Sequence, residues 1–286
     1  MSLMYVDACF DLSNERIKTM GVEVVEQSYT LDSENFVTNI NSDFHTNDFY
    51  KEVKSGKKLN SVTLTEANYK DAFLPALNQG ENILYIHYSD FLSHGIKNME
   101  KCAVNLREEF PNQKIITFDT LGLSVQAGLI AYEGAVLHRR CVEDEEIIET
   151  LKDIREQTAF YFMVDNLKNV VGEKVSILQA GNNALIKPIF AVDDNGDIVQ
   201  VGKAQGKKKA LLEMVKKVKE LGENLVDYPI AIVHADCEKD ALQLKEMLVS
   251  LLGSDARIWI EKASPISVAH VGAGAIGVAF HSKKRI

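Results

Sequence analysis

The sequence predicts an α/β protein of two domains: a parallel sheet sandwiched between helices (α/β/α) in the first half, then a second α/β domain. Three observations carry this. Between residues 83 and 137, short apolar runs alternate with amphipathic segments at helical spacing, the βαβα order that requires parallel strands. A similar strand and helix alternation runs from residue 198 to 261. At 286 residues the chain also exceeds one typical domain of roughly 100–200 residues. The pattern changes near Gln157, so residues 1–157 are assigned to an N-terminal domain and 158–286 to a C-terminal one, with the last segment free to pack back on the first.

Taken in order, Met4–Cys9 reads as a first strand ending at Asp7, and Leu12–Met20 as a short helix stopped by Gly21. Residues 1–3, ahead of a second methionine, are expected to lie outside the fold. Val22–Tyr29 reads as one strand, with Phe36–Ile40 paired back on it through a turn at Asp32 and Ser33. Thr46–Val53 is a helix. Asn60–Thr65 is hydroxyl-rich and aperiodic, and Thr65 caps the helix Glu66–Asn78. Then follow a strand (Ile83–Tyr88), a helix (Ser93–Phe110), a strand (Lys114–Asp119), a helix (Leu121–Leu137) and an acidic helix (Val142–Ile154). In the second half, strands are read at Thr158–Val164, Ala184–Val192, Ile198–Val201, Tyr228–His234, Arg257–Glu261 and Ala275–Phe280. Helices are read at Asn166–Val171, Lys207–Leu221 and Cys237–Leu252, and Asp193–Asp197 is a turn between strands. Lys283–Ile286 is expected to be solvated.

Composition narrows the function classes. Hydrophobic residues make up 46% and charged residues 26%, the balance of a globular protein rather than a disordered one. A net charge of -9 argues against nonspecific binding to nucleic acid, which relies on a basic surface. No run of about 18 apolar residues and no basic-then-apolar leader is found, so stable membrane insertion is not expected and a cytoplasmic location is. The four cysteines are scattered and form no C-x-x-C pair, so neither a disulfide nor a metal site is expected. No cofactor motif survives inspection: Gly272, Gly274 and Gly277 have dinucleotide-fingerprint spacing, but they precede a strand instead of following one.

In a parallel sheet ligands bind beyond the C-terminal strand ends, which places Ser89, Ser93 and Asp119 at such a position. Ser93 reads as an N-cap, where a hydroxyl and unpaired backbone N–H groups favour an anion. His270 stands before a glycine loop and is placed to donate to the same anion. At Lys203 and Lys207–Lys209, cations gather at the start of a helix, the unfavourable end of its dipole, so these lysines are candidates for a partner or phosphate.

Six segments in order resemble the DegV family of bacterial fatty-acid-binding proteins over nearly the whole length. They are Val6-Asp7 with Asp11-Leu12; Ile86 to Ser93; Asp119 through Ser124 to Gly128; Val164 to Leu167; Ile186 to Ile189 with Gly196 and the lysine cluster; and His234-Ala235 with Ser264-Pro265, His270, Gly272 and Gly274. The resemblance implies a two-domain carrier, not an enzyme, that holds a long-chain fatty acid. It would present the carboxylate to a separate ATP-binding fatty acid kinase subunit, acyl phosphate then forming for phospholipid synthesis. It implies carboxylate contacts from Ser93, Ser61 and His270, with Thr63, Ser89, His94 and Asp119 supporting them or lining the entrance. The chain departs from the family pattern at Ser61 to Thr63, at His94 in place of a glycine, and at Gln205 in place of an arginine. Two other readings are weighed: a substrate-binding subunit resembling dihydroxyacetone kinases, with His270 engaging a carbonyl, and a phosphate- or partner-binding regulator using the lysine cluster.

Overall fold

The computed structural model describes residues 2–38, 46–89, 95–165, 175–176 and 185–286, with backbone only at 46, 47, 175 and 176. The elements up to residue 157 are β1 (Ser2–Asp7), α1 (Asn14–Met20), β2 (Glu23–Val25), β3 (Ser28–Leu31), β4 (Glu34–Val37), α2 (Thr46–Lys54), β5 (Leu59–Val62), α3 (Glu66–Asn78), β6 (Asn82–His87), α4 (Ile96–Glu109), β7 (Ile115–Asp119), α5 (Ser124–Arg139) and α6 (Asp144–Glu156). After it come β8 (Thr158–Met163), β9 (Val175–Ser176), β10 (Ile186–Val192), β11 (Ile198–Gln205), α7 (Lys207–Leu221), β12 (Ile230–His234), α8 (Glu238–Leu252), β13 (Ile258–Lys262), α9 (Pro265–Val271) and β14 (Ile276–His281).

The expected parallel sheet is present, in the order β2-β1-β6-β7. The second sheet runs β13-β12-β14-β8-β10-β11-β9 and is mixed: β12 and β13 are parallel, while β12, β14, β8, β10 and β11 pair antiparallel in turn. A small antiparallel sheet, β4-β3-β5, makes a third layer. Helix α5 explains how the two larger sheets are held together. Val125, Ala127, Ile130 and Ala131 are wholly buried in one continuous core with Met4, Val6 and Ile86 of the parallel sheet and Phe160 and Phe162 of β8. Small residues on α5 let it lie between the layers, and each large apolar side chain buried there contributes about 1.5–3 kcal/mol. Gln126, also fully buried, donates to the Thr158 carbonyl at 2.8 Å, so its amide is satisfied inside that core.

Several expectations need correction. The single strand Val22–Tyr29 is two strands in different sheets, because Gln27 turns away: its N–H donates to Thr38 Oγ1 at 2.9 Å and its carbonyl accepts from the same hydroxyl at 2.8 Å. The aperiodic stretch at residue 60 is strand β5, held by pairing with β3 rather than by its own pattern. Helix α4 starts at Ile96 with Gly95 as N-cap, later than the Ser93 start read from sequence. Ser2 and Leu3 belong to β1, and Ser2 Oγ donates to Asp144 at 2.8 Å. His270, expected next to a glycine loop, stands in the last turn of the short helix α9: the Ser264 hydroxyl accepts from Ser267 N, and Pro265 occupies the first turn. Arg285 is not solvated but 2% exposed. The expected helix Asn166–Val171 lies outside the described residues.

Candidate functional site

A cavity opens where β12 and β13 of the second sheet run out, facing the segments that follow β1 and β7 of the first. From the first half it is lined by Asp11, Leu123 and Ser124, and from the second by Phe160, Phe162, Ile198, Val233 and the α9 residues Ser267, His270 and Val271. The space between atoms is about 520 Å³, mouth included. The wall is apolar along β8, where Phe160 stacks on Phe162 at 5.3 Å and Phe162 on Phe190 at 5.4 Å. Opposite them is Gly277, where a Cβ would fall 2.7 Å from the Phe160 ring and 2.8 Å from Phe162 Cβ. The glycine is what lets β14 pass this close to the aromatic wall.

Polar groups gather at one side. Asp11 follows β1 with φ of 53°, a left-handed conformation that aspartate tolerates better than most residues. Its carboxylate accepts from the Ser124 hydroxyl at the start of α5, from Ser267 Oγ at 2.7 Å and from Ser264 N at 2.7 Å. It therefore ties the end of β1 to the N-termini of α5 and α9. Burial pushes the Asp11 pKa above the ordinary carboxylate range, against the pull of these donors. One turn after Ser267 on α9 stands His270, half-buried. Its Nε2 lies 3.0 Å from Ser61 Oγ, a hydrogen bond in which the ring donates or accepts according to tautomer. Ser61 reaches the ring because β5 lies over α9. Helix α2, just before β5, is fastened to the second half by Tyr50, whose hydroxyl donates to the Ala263 carbonyl at 2.8 Å, and by an ion pair between Lys54 and Asp236. A hydroxyl and an imidazole at the edge of an apolar cavity can orient one acidic or carbonyl head group.

His234, at the exit of β12, also borders the cavity. Burial lowers its pKa, and its Nδ1 accepts from Cys237 N at 3.4 Å.

Of the residues expected at the site, Ser61 and His270 are in contact. Ser93 and His94 lie outside the described residues. Thr63 is exposed just after β5. Ser89 is buried at the exit of β6, its N–H donating to the Gly122 carbonyl at 3.1 Å, and Asp119 turns its carboxylate onto Leu121 N at 2.7 Å. Neither of these two lines the cavity. The lysines sit elsewhere. Lys207 is held between Asp165 at 3.5 Å and Asp240 at 3.3 Å, so its place at the start of α7 is explained by those ion pairs. Lys203 and Lys209 flank a shallow groove with Lys216 and Lys219 on the outer face of α7, and Lys208 is exposed beside it. Sequence reading assigned no role to Asp11, Ser124 or Ser267. The signal for Ser267 was the Ser264-Pro265 pair, which opens a helix and fixes the face that Ser267 and His270 share.

A family model described as "Uncharacterised protein, DegV family" matches residues 4–283. A DegV domain-containing protein of Clostridium perfringens is 26% identical over 281 residues, covering 97% of this chain and 96% of that one. Among solved structures, a DegV-family protein of Ruminococcus gnavus refined with vaccenic acid superposes with a TM-score of 0.83 at 23% identity, covering 97% of this chain and 99% of the other. A stearic acid-binding protein of Eubacterium ventriosum superposes with a TM-score of 0.85 at 18% identity, covering 99% of both chains. With the family model spanning both sheets and the cavity between them, the chain belongs to the DegV family.

Proposed function

We propose that this protein binds one long-chain fatty acid, with the carboxylate at the Ser61–His270 pair and the acyl chain in the cavity walled by Phe160 and Phe162. The observation that carries the reading is the juxtaposition itself: a hydrogen-bonded hydroxyl and imidazole at the rim of an almost wholly apolar space. The vaccenic and stearic acids of the two structural neighbours support the same ligand class. In this reading residues 1–157 and 158–286 are two domains that enclose the ligand from opposite sides, and Ser93 adds a third contact to the carboxylate. Thr63 and His94 are assigned to the entrance, while Ser89 and Asp119, which do not line the cavity, hold the strand exits.

The energetics favour such a division of labour. Each buried methylene contributes about 0.8 kcal/mol, so ten supply about 8 kcal/mol before the costs of association. The head group then needs only orientation.

The protein acts as a carrier without turnover of its own and presents the carboxylate to a separate fatty acid kinase subunit. Lys203, Lys208 and Lys209 form no ion pair among the described residues, which leaves them for that partner. Lys207 is the exception, being held by its two aspartates.

The test is mass spectrometry of the protein purified without added lipid, under native and then denaturing conditions. A mass difference equal to one long-chain fatty acid is expected. Protein that arrives empty and also fails to take up oleate removes the proposal. Reversing the charge of Lys208 and Lys209 is expected to leave oleate uptake intact while weakening phosphorylation of the bound acid by an added kinase subunit. Unchanged phosphorylation would take the lysines out of the account.

A further inference from the structure

The turn that joins β7 to α5 is an unusual piece of backbone. Leu121 has φ of 46° and Ser124 of 51°, both left-handed and neither a glycine. Its outer side is held from β6: Thr120 N and Oγ1 both donate to the His87 carbonyl, at 3.0 and 2.9 Å, and Gly122 accepts from Ser89 N. Its inner side is the cavity wall, since Leu123 and Ser124 line the space and Ser124 donates to Asp11.

Three consecutive carbonyls of this turn face guanidinium groups. Asp119 O accepts from Arg155 Nη1 at 3.0 Å, Thr120 O accepts from Arg285 Nη2 at 3.3 Å, and Leu121 O accepts from the same nitrogen. Arg155 comes from α6 and Arg285 from the stretch after β14, more than 160 residues along the chain from the carbonyls it binds. Arg285 is 2% exposed, and its Nε has no partner among the described residues. Burial lowers its pKa to about 10, so it stays charged at neutral pH. A charged side chain kept out of water with one donor unsatisfied costs stability, offset here by the bonds its Nη2 makes and by the nearby carboxylates of Asp194, Asp119 and Asp193. Ordinary packing would be served at this spot by an apolar residue. What the guanidinium adds is one charged donor, Nη2, shared between two adjacent carbonyls that would otherwise repel, on a planar head whose orientation is fixed.

We infer that Arg285, seconded by Arg155, is a positioning residue for the cavity: it fixes the 119–124 turn in its left-handed course and so sets where Leu123 and Ser124 meet the ligand. The inference rests on the lipid-binding reading for its consequence, but the hold on the turn is a property of the empty protein. The two are therefore separable by experiment.

The experiment uses the full chain with Arg285→Gln, Arg285→Lys and Arg285→Ala, and two readouts. In ligand-free protein, hydrogen exchange of the Leu121 and Gly122 amides is expected to speed up at least about tenfold in Arg285→Gln, as loss of one charged hydrogen bond implies, while amides in the middle of β6 keep their wild-type rates. Oleate affinity is expected to fall by about the same factor. Arg285→Lys, which keeps a charge but not the planar head that sets Nη2 between the two carbonyls, is expected to fall between wild type and Arg285→Gln. Millimolar guanidinium, with sodium chloride as the control at equal ionic strength, should restore part of the affinity to Arg285→Ala. Wild-type exchange in the turn of Arg285→Gln overturns the inference, and so does acceleration spread evenly through β6, which would mark a general stabiliser. Faster exchange with unchanged oleate affinity also overturns it, by disconnecting the turn from the cavity. If the wild type itself binds no oleate, the lipid reading fails while the exchange result still decides whether Arg285 holds the turn.

Discussion

Replacing His270 by alanine removes the imidazole whose Nε2 stands 3.0 Å from Ser61 Oγ and leaves the Phe160 and Phe162 wall in place. A hydrogen bond to a charged acceptor is worth about 1.5–3 kcal/mol, so the carboxylate of oleate should bind about 10–100-fold more weakly to His270→Ala. Ser61→Ala removes a neutral hydroxyl worth about 1 kcal/mol and should cost roughly fivefold. The two side chains support each other, so the double variant should lose less than the sum of the singles, with a coupling of at least about 0.5 kcal/mol. Tail contacts should be untouched. Shortening the ligand by two methylenes costs about 1.6 kcal/mol in wild type, and the same decrement should appear in His270→Ala. The assay is calorimetric titration with oleate, a shorter homologue and methyl oleate, which keeps the tail and lacks the charge. Methyl oleate should bind wild type and His270→Ala alike. Equal oleate affinity in wild type and His270→Ala, or a chain-length dependence that changes with the substitution, would refute the head-and-tail assignment.

Other perturbations test the frame around the site. Gly277→Ala places a methyl group 2.7 Å from the Phe160 ring, so overpacking should cost about 1–3 kcal/mol in thermal denaturation and weaken oleate uptake in parallel. Asp7 is buried at the exit of β1, accepting from the Tyr85 hydroxyl and from Tyr88 N at 2.8 Å; burial, opposed by these donors, raises its pKa to about 7. A carboxyl that holds its proton longer in the folded state stabilises most below its unfolded pKa and loses that contribution as pH rises through about 7. Between pH 4 and 7 this amounts to on the order of 4 kcal/mol, so chemical denaturation of Asp7→Asn should show a flatter pH dependence than wild type over that window. Arg16 stacks on Trp259 at 3.9 Å and pairs with Glu261, which is 3% exposed and otherwise receives Ser13 N at 3.0 Å. Arg16→Ala should cost about 1–3 kcal/mol, less than a fully buried pair because Arg16 is partly in water, and Glu261→Gln in the same chain should recover part of it.

The elements most legible in the sequence were those whose local chemistry suffices. Helix α3 is capped by Thr65 as its hydroxyl spacing suggests, helix α7 runs over the expected residues, and the turn Asp193–Asp197 closes the β10–β11 hairpin. Of the candidate site, His270 was picked out from its glycine-rich surroundings and Ser61 only through the family resemblance; they meet although they stand 209 positions apart, because β5 lies over α9. What escaped was set by tertiary contact. Strand β5 has no period of its own and exists through pairing with β3; β2 and β3 look like one run until Gln27 bonds to Thr38. The basic stretch after β14 reads as solvated because nothing nearby in sequence tells Arg285 that carbonyls at Thr120 and Leu121 await it. Asp11 is similarly silent, its three partners coming from two distant helix starts.

The most direct measurement is a crystal structure of the protein loaded with a long-chain fatty acid. The account predicts density for a carboxylate within hydrogen-bond distance of His270 Nε2 and Ser61 Oγ, and for an acyl chain running along Phe160 and Phe162. A cavity left empty beside a saturating ligand, or a chain lying with its acid group away from His270, would contradict it.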